Sequence, residues 1–326
     1  MGLLPFETEH RKIQVRKQAE PSEKYGFWPD KRPAELLVDS GVVNIDKPAG
    51  PTSHQVSSYV KQILGIRKAG HSGTLDPNVT GVLPIGLAAS TKISHVLLTA
   101  GKEYVCLMHI HKEKSEQEIR QACSQFLGKI KQLPPVKSAV KRQLRERSIY
   151  YLDILEIEGK DVLFRVGCQA GTYIRKLTDD IGKLIGGAHM AELRRTRAGP
   201  FDEKSLVTLQ DLADAVYYWK EGNDRYLRHC IQPVETAVRH LPKVWVLDSA
   251  VDSLAHGASL KVPGISRVET GIREGDIVAV LTLKGELVCY GTARLGTQGM
   301  LGDRGIAVKP ERVFMPAGVY PRMEKE

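Results

Sequence analysis

At 326 residues the chain is long enough for two domains and a tail, and a net charge of +9 with a pI near 9.2 favours a polyanionic partner. Hydrophobic residues make up 42%, yet no run approaches the roughly 18 to 20 apolar residues of a membrane-spanning helix, and the opening residues turn acidic and then basic without a signal-peptide core. The cysteines Cys106, Cys123, Cys168, Cys230 and Cys289 are widely spaced, with no CxxC pairing, which excludes a zinc-finger or disulfide scaffold and predicts buried thiols in a reducing compartment.

Residues 1–40 are rich in charge and proline with little periodicity, and read as an extension that is either mobile or laid across another domain. From Thr52 the pattern sharpens. Val56, Tyr59, Val60, Ile63 and Leu64 recur at helical spacing, with Thr52 or Ser53 as N-cap and Gly65 as the stop. A second helix starts at a Ser115/Glu118 capping box and buries Ile119, Ala122, Cys123, Phe126 and Leu127 before Gly128. A third carries Ile174, Leu177, Ile181 and Leu184 and ends at Gly186-Gly187. Strands are predicted over 103–110, 150–157 and 161–168, the last two joined by a Glu-Gly-Lys-Asp turn. A helix over 208–219 follows from a Thr208/Asp211 box, and near Leu241-Pro242 the texture changes to short strands punctuated by glycine, including 276–283 and 286–294 around Lys284-Gly285. The expected fold is α+β, with a mixed, mainly antiparallel sheet and flanking helices followed by a small β-barrel.

One stretch, residues 70–84, stands out: Gly-His-Ser-Gly-Thr-Leu-Asp-Pro-Asn-Val-Thr-Gly-Val-Leu-Pro. Pro77 pushes Asp76 away from helical geometry, and the glycines permit tight turns and close backbone approach to a ligand, which suits a carboxylate presented on a rigid loop. Asp-Pro alone is equally a common turn former. In Gly171-Thr-Tyr-Ile-Arg-Lys-Leu, Tyr173 and Arg175 sit where a strand gives way to a helix, and an arginine there could hold an aspartate ionised. Tyr104 opens a strand. Basic residues cluster at Lys137, Lys141, Arg142, Arg145 and Arg147 and again at Arg194, Arg195 and Arg197, as phosphate neutralisation requires, although a solvated charged face has the same composition. His109 and His111 alternate on a strand with no third metal ligand nearby in sequence.

Together these segments resemble the TruB family of pseudouridine synthases: residues 43–53 its first motif, 70–84 its catalytic loop, Gly101-Lys-Glu-Tyr its Lys-x-Tyr motif, and 171–177 its Gly-Thr-Tyr-Ile-Arg motif. The likeness divides the chain into an extension (1–40) folded back on the barrel, a catalytic domain (41–236) and a PUA-type RNA-binding domain (237–326). Within the family, residues 134–142 and 187–201 resemble the dyskerin branch, which works with a guide RNA in box H/ACA particles, and the short tail resembles its archaeal members. Ser72 and Lys112-Glu113 depart from that branch's pattern.

The resemblance implies isomerisation of uridine to pseudouridine with no cofactor and no metal. Asp76 is the implied catalytic residue. His71, Tyr104, Tyr173, Arg175 and Leu193 would form the substrate pocket. RNA contacts are implied at Lys47, Lys137, Lys141, Arg142, Arg145, Arg147, Arg194 and Arg195, and on the barrel at His256, Gly257, Ala258, Lys261, Pro263 and Gly264. Implied partners are a box H/ACA guide RNA, ribosomal RNA as substrate, the tRNA TΨC arm as a further substrate, and three small accessory proteins, in a cytoplasmic setting. A scaffold that binds RNA without chemistry is the alternative of a different class.

Overall fold

A computed structural model describes residues 2–134 and 143–322. Lys137, Lys141 and Arg142 lie outside the described residues. The chain folds as α+β, and its strands fall into two sheets among the described residues.

The larger sheet has ten strands. Its main path runs Ile231–Pro233, Gly41–Lys47, Thr80–Leu87, Ala188–Ala198, Lys102–Ile110, Asp161–Cys168, Arg145–Glu158 and Gly128–Gln132. Ala69–His71 adds to the edge of Thr80–Leu87, and Phe201–Asp202 to Ala188–Ala198. All pairings are antiparallel but one: Thr80 and Gly81 run parallel to Arg194 and Arg195. Gly81 is needed at that crossing, because its φ is +101° and a Cβ there would lie 2.2 Å from the Arg195 carbonyl oxygen. The strands Gly41–Lys47 and Thr80–Leu87 are buried at nearly every position, on both faces, so period-two reading passes over them.

Helices cover the sheet from capped starts. Thr52 accepts from the Gln55 amide, and the helix Ser53–Leu64 ends at left-handed Gly65. Thr208 and Asp211 form the expected reciprocal box for Leu209–Lys220. These two helices bury Val56, Val60 and Leu212 against Val43, Ile45 and Leu83. On the other half, Ile174–Ile185 sets Ile174, Leu177 and Ile181 against Cys106 and Phe164, each large apolar side chain contributing roughly 1.5–3 kcal/mol. The helix begun at Ser115 is shorter than its apolar pattern suggests. It spans Glu116–Ser124, Leu127 is left 48% exposed, and Gly128, at φ +84°, turns the chain into a strand. Strand Arg145–Glu158 starts earlier than the predicted 150, so Arg145 and Arg147 stand on a strand.

The second sheet orders Ile13–Val15, Ile265–Glu269, Lys243–Val246, Ile277–Leu281, Leu287–Ala293, Ile306–Val313 and Leu260–Lys261. Its core gathers Val244, Val251, Ile265, Val278, Val288 and Val308. Part of the first 40 residues is an integral edge of this sheet, with Ile13 paired to Glu269 and Val15 to Arg267. A further apolar cluster joins the two sheets, bringing Val42, Val82, Leu97 and Phe201 onto Leu287 and Tyr290.

Candidate active site

Asp76 sits at the head of a turn in which its carbonyl accepts from the Val79 amide. Leu75 and Val79 on either side are buried, whereas Asp76, Pro77 and Asn78 are exposed, so the turn is pinned at its base and offers its acid outward. The turn-former reading and the presented-carboxylate reading of Asp-Pro therefore describe one structure. Three further groups hold the turn. The Ser53 hydroxyl accepts from the Leu75 amide at 2.8 Å and donates to the Leu75 carbonyl at 3.1 Å. The Gly50 amide donates to the Pro77 carbonyl. Lys47, fully buried, spends its ammonium on the carbonyls of Pro48, Pro77 and Val79 at 2.8, 2.9 and 2.9 Å.

Arg175 reaches the turn from the first turn of Ile174–Ile185, its guanidinium 2.7 Å from the Asp76 carboxylate. The Arg175 and Asp76 side chains are 61% and 55% exposed, so the pair lies open to solvent. An ion pair that wet adds little to stability; its geometry holds the carboxylate and guanidinium face to face. The start of the Arg175 helix is fixed by Gln132, almost wholly buried, whose side chain accepts from the Tyr173 amide at 3.0 Å and donates to the Tyr173 carbonyl at 3.1 Å. Tyr173 itself is the N-cap and half-buried.

Tyr104 and Arg195 are direct neighbours across the paired strands Lys102–Ile110 and Ala188–Ala198. Leu193, half-buried, packs against the core beneath and pairs with Cys106. Arg195 is only 1% exposed. Its Nε donates to the Val82 carbonyl at 2.7 Å and one terminal nitrogen to the Gly73 carbonyl at 3.2 Å, which ties it to the loop carrying Asp76. Burial pushes the Tyr104 hydroxyl above its usual range, and the Arg195 charge opposes that shift. His71 is half-buried and held below its ordinary pKa by burial, by Arg195 and by His54, with its Nδ1 buried and without a hydrogen-bond partner. Lys102, of the Lys-x-Tyr motif, donates to the carbonyls of Leu97, Leu98 and Ala100, while burial pulls its pKa down to about 7.

Three residues expected to meet RNA have other work. Lys47 and Arg195 are sealed under the catalytic loop, and no phosphate can reach them. Arg194 faces the other way and bridges Asp46 at 3.0 Å and Glu203 at 2.6 Å, so two carboxylates already neutralise it. Arg197 likewise pairs with Glu7. Arg145 and Arg147 are half-buried near the Gly-Thr-Tyr turn, where Gly171 at φ +79° leaves room for the Arg147 guanidinium 3.1 Å from its would-be Cβ. On the second sheet, His256, Gly257, Ala258, Lys261 and Pro263 are exposed together and Gly264 is partly so. Sequence reasoning overlooked Ser53, Gln132 and Lys102 as braces, and the only signal for Ser53 was its place beside a stronger cap. His109 binds Asp161 at 2.7 Å and His111 meets His189 at 3.1 Å, yet among the described residues no cluster is set to hold a metal.

The chain matches the model of the TruB family pseudouridylate synthase N-terminal domain over residues 61–174 and that of the tRNA pseudouridylate synthase B C-terminal domain over 175–239. It matches the PUA domain over 242–314 and the DKCLD domain over 3–57. A probable tRNA pseudouridine synthase B of Pyrococcus abyssi is 55% identical over 98% of this chain and 97% of its own. Among solved structures, a Cbf5-Nop10-Gar1 complex contains a chain 53% identical, with a TM-score of 0.94 and coverage of 98% of this chain and 99% of that one. An H/ACA ribonucleoprotein bound to a substrate RNA containing 2′-deoxyuridine contains one 52% identical, with a TM-score of 0.93 and coverage of 98% and 99%.

Proposed function

This chain belongs to the TruB family of pseudouridine synthases, and from that membership we propose that it is the catalytic subunit of a guide-RNA-dependent H/ACA particle that isomerises uridines in ribosomal RNA. The observation that carries the reading is the Asp76–Arg175 pair, 2.7 Å apart, half exposed, and presented by two separately braced elements. Pseudouridine formation breaks the N1–C1′ bond, turns the base and rejoins it through C5, with no net oxidation and no group lost. One carboxylate suffices to start it, as nucleophile at C1′ or as base at C2′.

The site divides the remaining work among its neighbours. Extruding a base costs a few kcal/mol, which stacking and positive charge must offset. Tyr104 stacks on the flipped base, Arg175 holds the acid and helps prise the base out, His71 occupies space near the vacated stack, and Tyr173 and Leu193 line the pocket. Arg145 and Arg147 supply phosphate contacts alongside Lys137, Lys141 and Arg142, and the exposed run from His256 to Gly264 receives the guide's end. The domain limits at 40 and 236, the cytoplasmic setting and the three small accessory partners belong to the same proposal. Solved relatives are named with Nop10 and Gar1, which supports the partner assignment.

A second reading, direct action on the tRNA TΨC arm, is favoured by the names of the relatives themselves. One experiment separates them. The chain is assembled with a guide and a matched target, or given bare tRNA alone, and the product is mapped. Asp76→Asn should lower pseudouridine formation by on the order of 10⁴-fold or more while guide binding persists. Loss of RNA binding instead, or unchanged product, would remove Asp76 from the chemistry.

A further inference from the structure

Arg195 carries a full charge in the interior, and no carboxylate answers it among the described residues. Arg32, the other arginine buried among the described residues, is met by Glu235 and Glu286. Arg195 has two carbonyls, which hold two of its donors, and Tyr104 as its partner across the strand pair, whose proximity favours the charged form. An uncompensated buried cation costs several kcal/mol, and two carbonyl bonds could have been made by a neutral donor. The position of the charge, directly across the strand pair from Tyr104, is the feature a purely structural role leaves unexplained.

We propose that Arg195 is a positioning residue for the final proton removal at C5, acting through Tyr104. The inference rests on the assignment of this cleft to pseudouridine formation. An arginine can only donate, so a guanidinium directly across the strand pair from Tyr104 offers that oxygen donors and positive charge and never competes with it as an acceptor. After the base has rejoined the sugar, C5 holds both the new bond to C1′ and its original hydrogen. Tyr104, ionised, takes that proton. The C5–H electron pair forms the C5=C6 double bond, the C6=N1 pair moves onto N1, and N1 takes a proton from water while Tyr104 returns its own to solvent. Burial opposes ionisation of Tyr104 and the Arg195 charge favours it, so the negative charge that the oxygen carries before it takes the proton is stabilised by a cation set beside it in a low-dielectric interior. The other charged or titratable groups acting on Tyr104 are Asp76 on the loop and Cys168 on the adjoining strand. Of these, Arg195 is the cation, and it is already in place before substrate arrives.

The test uses the assembled particle, a guide, and targets carrying uridine or C5-deuterated uridine, under single-turnover conditions. Arg195→Met should slow product formation by about 10²-fold and bring out an isotope effect larger than that of the unaltered enzyme, because C5–H cleavage becomes limiting. Arg195→Lys should recover part of the rate and shrink the isotope effect. In a Tyr104→Phe background, Arg195→Met should add little further loss. The isotope effect is a ratio of rates on one preparation, so it does not depend on what fraction of a variant folds. A slowed Arg195→Met enzyme with no enlarged isotope effect, or one whose full loss adds to that of Tyr104→Phe, overturns the proposal. Failure of the underlying assignment shows itself separately, as an Asp76→Asn enzyme that still makes pseudouridine, and overturns it as well.

Discussion

Beneath the Asp76 turn the protein buries Lys47 and Arg195 and gives both carbonyl oxygens as partners. Where the N-terminal extension meets the two sheets it buries Arg32 with Glu286 and the nearly buried Glu235, and completes the cluster with the Tyr320 hydroxyl and the Phe27 amide. In the second region one cation is met by two carboxylates. In the first, partial charges stand against whole ones, and positive potential remains under the cleft. The junction is thus arranged for cohesion, while the cleft bears a desolvation cost that makes sense beside a polyanion. Stability and function draw on the same interactions, buried hydrogen bonds to charge, with opposite balances.

The comparison is broken most directly at the junction. Arg32→Met leaves Glu235 and Glu286 buried without their cation and should cost about 3–5 kcal/mol, read from the urea midpoint. A loss under about 1 kcal/mol would mean the cluster does not hold the sheets together. In the cleft the same kind of change should act on rate. Lys47→Met removes the donor shared by the Pro77 and Val79 carbonyls, which loosens the Asp76 turn, and should slow single-turnover product formation by about 10²-fold with guide binding intact. An unchanged rate would show that Ser53 and Gly50 hold the turn unaided.

The third expected effect appears only in acid, at a contact of the extension. His240 stacks edge-on with Phe6 of the extension, and its burial lowers its pKa from the usual 6.5 to about 4. The unfolded chain therefore binds the proton first as pH falls. The stabilising contribution of a neutral, buried His240 is complete above about pH 6.5 and declines as pH drops toward 4, by up to about 3 kcal/mol. Unfolding midpoints at pH 7 and pH 4.5 should diverge less in His240→Phe than in the unaltered protein. Equal divergence would place the acid sensitivity in other groups.

Features set by contacts three or four residues apart were legible in the sequence. The caps at Thr52, Ser115 and Thr208, the turn between the strands Arg145–Glu158 and Asp161–Cys168, and the motif residues that suggested the chemistry belong to that class. The strands Gly41–Lys47 and Thr80–Leu87 did not stand out, because central strands buried on both faces lose the alternation that marks a strand; Ala188–Ala198, charged and partly exposed, shows no apolar alternation either. Tertiary structure alone brought Arg175 to Asp76 across 99 residues of chain. It also turned Arg195 inward and Arg194 outward at adjacent positions of one strand. Composition marks all such arginines alike as cations for RNA. Which of them faces solvent is decided by strand register, and register is set by pairings between segments far apart in the chain.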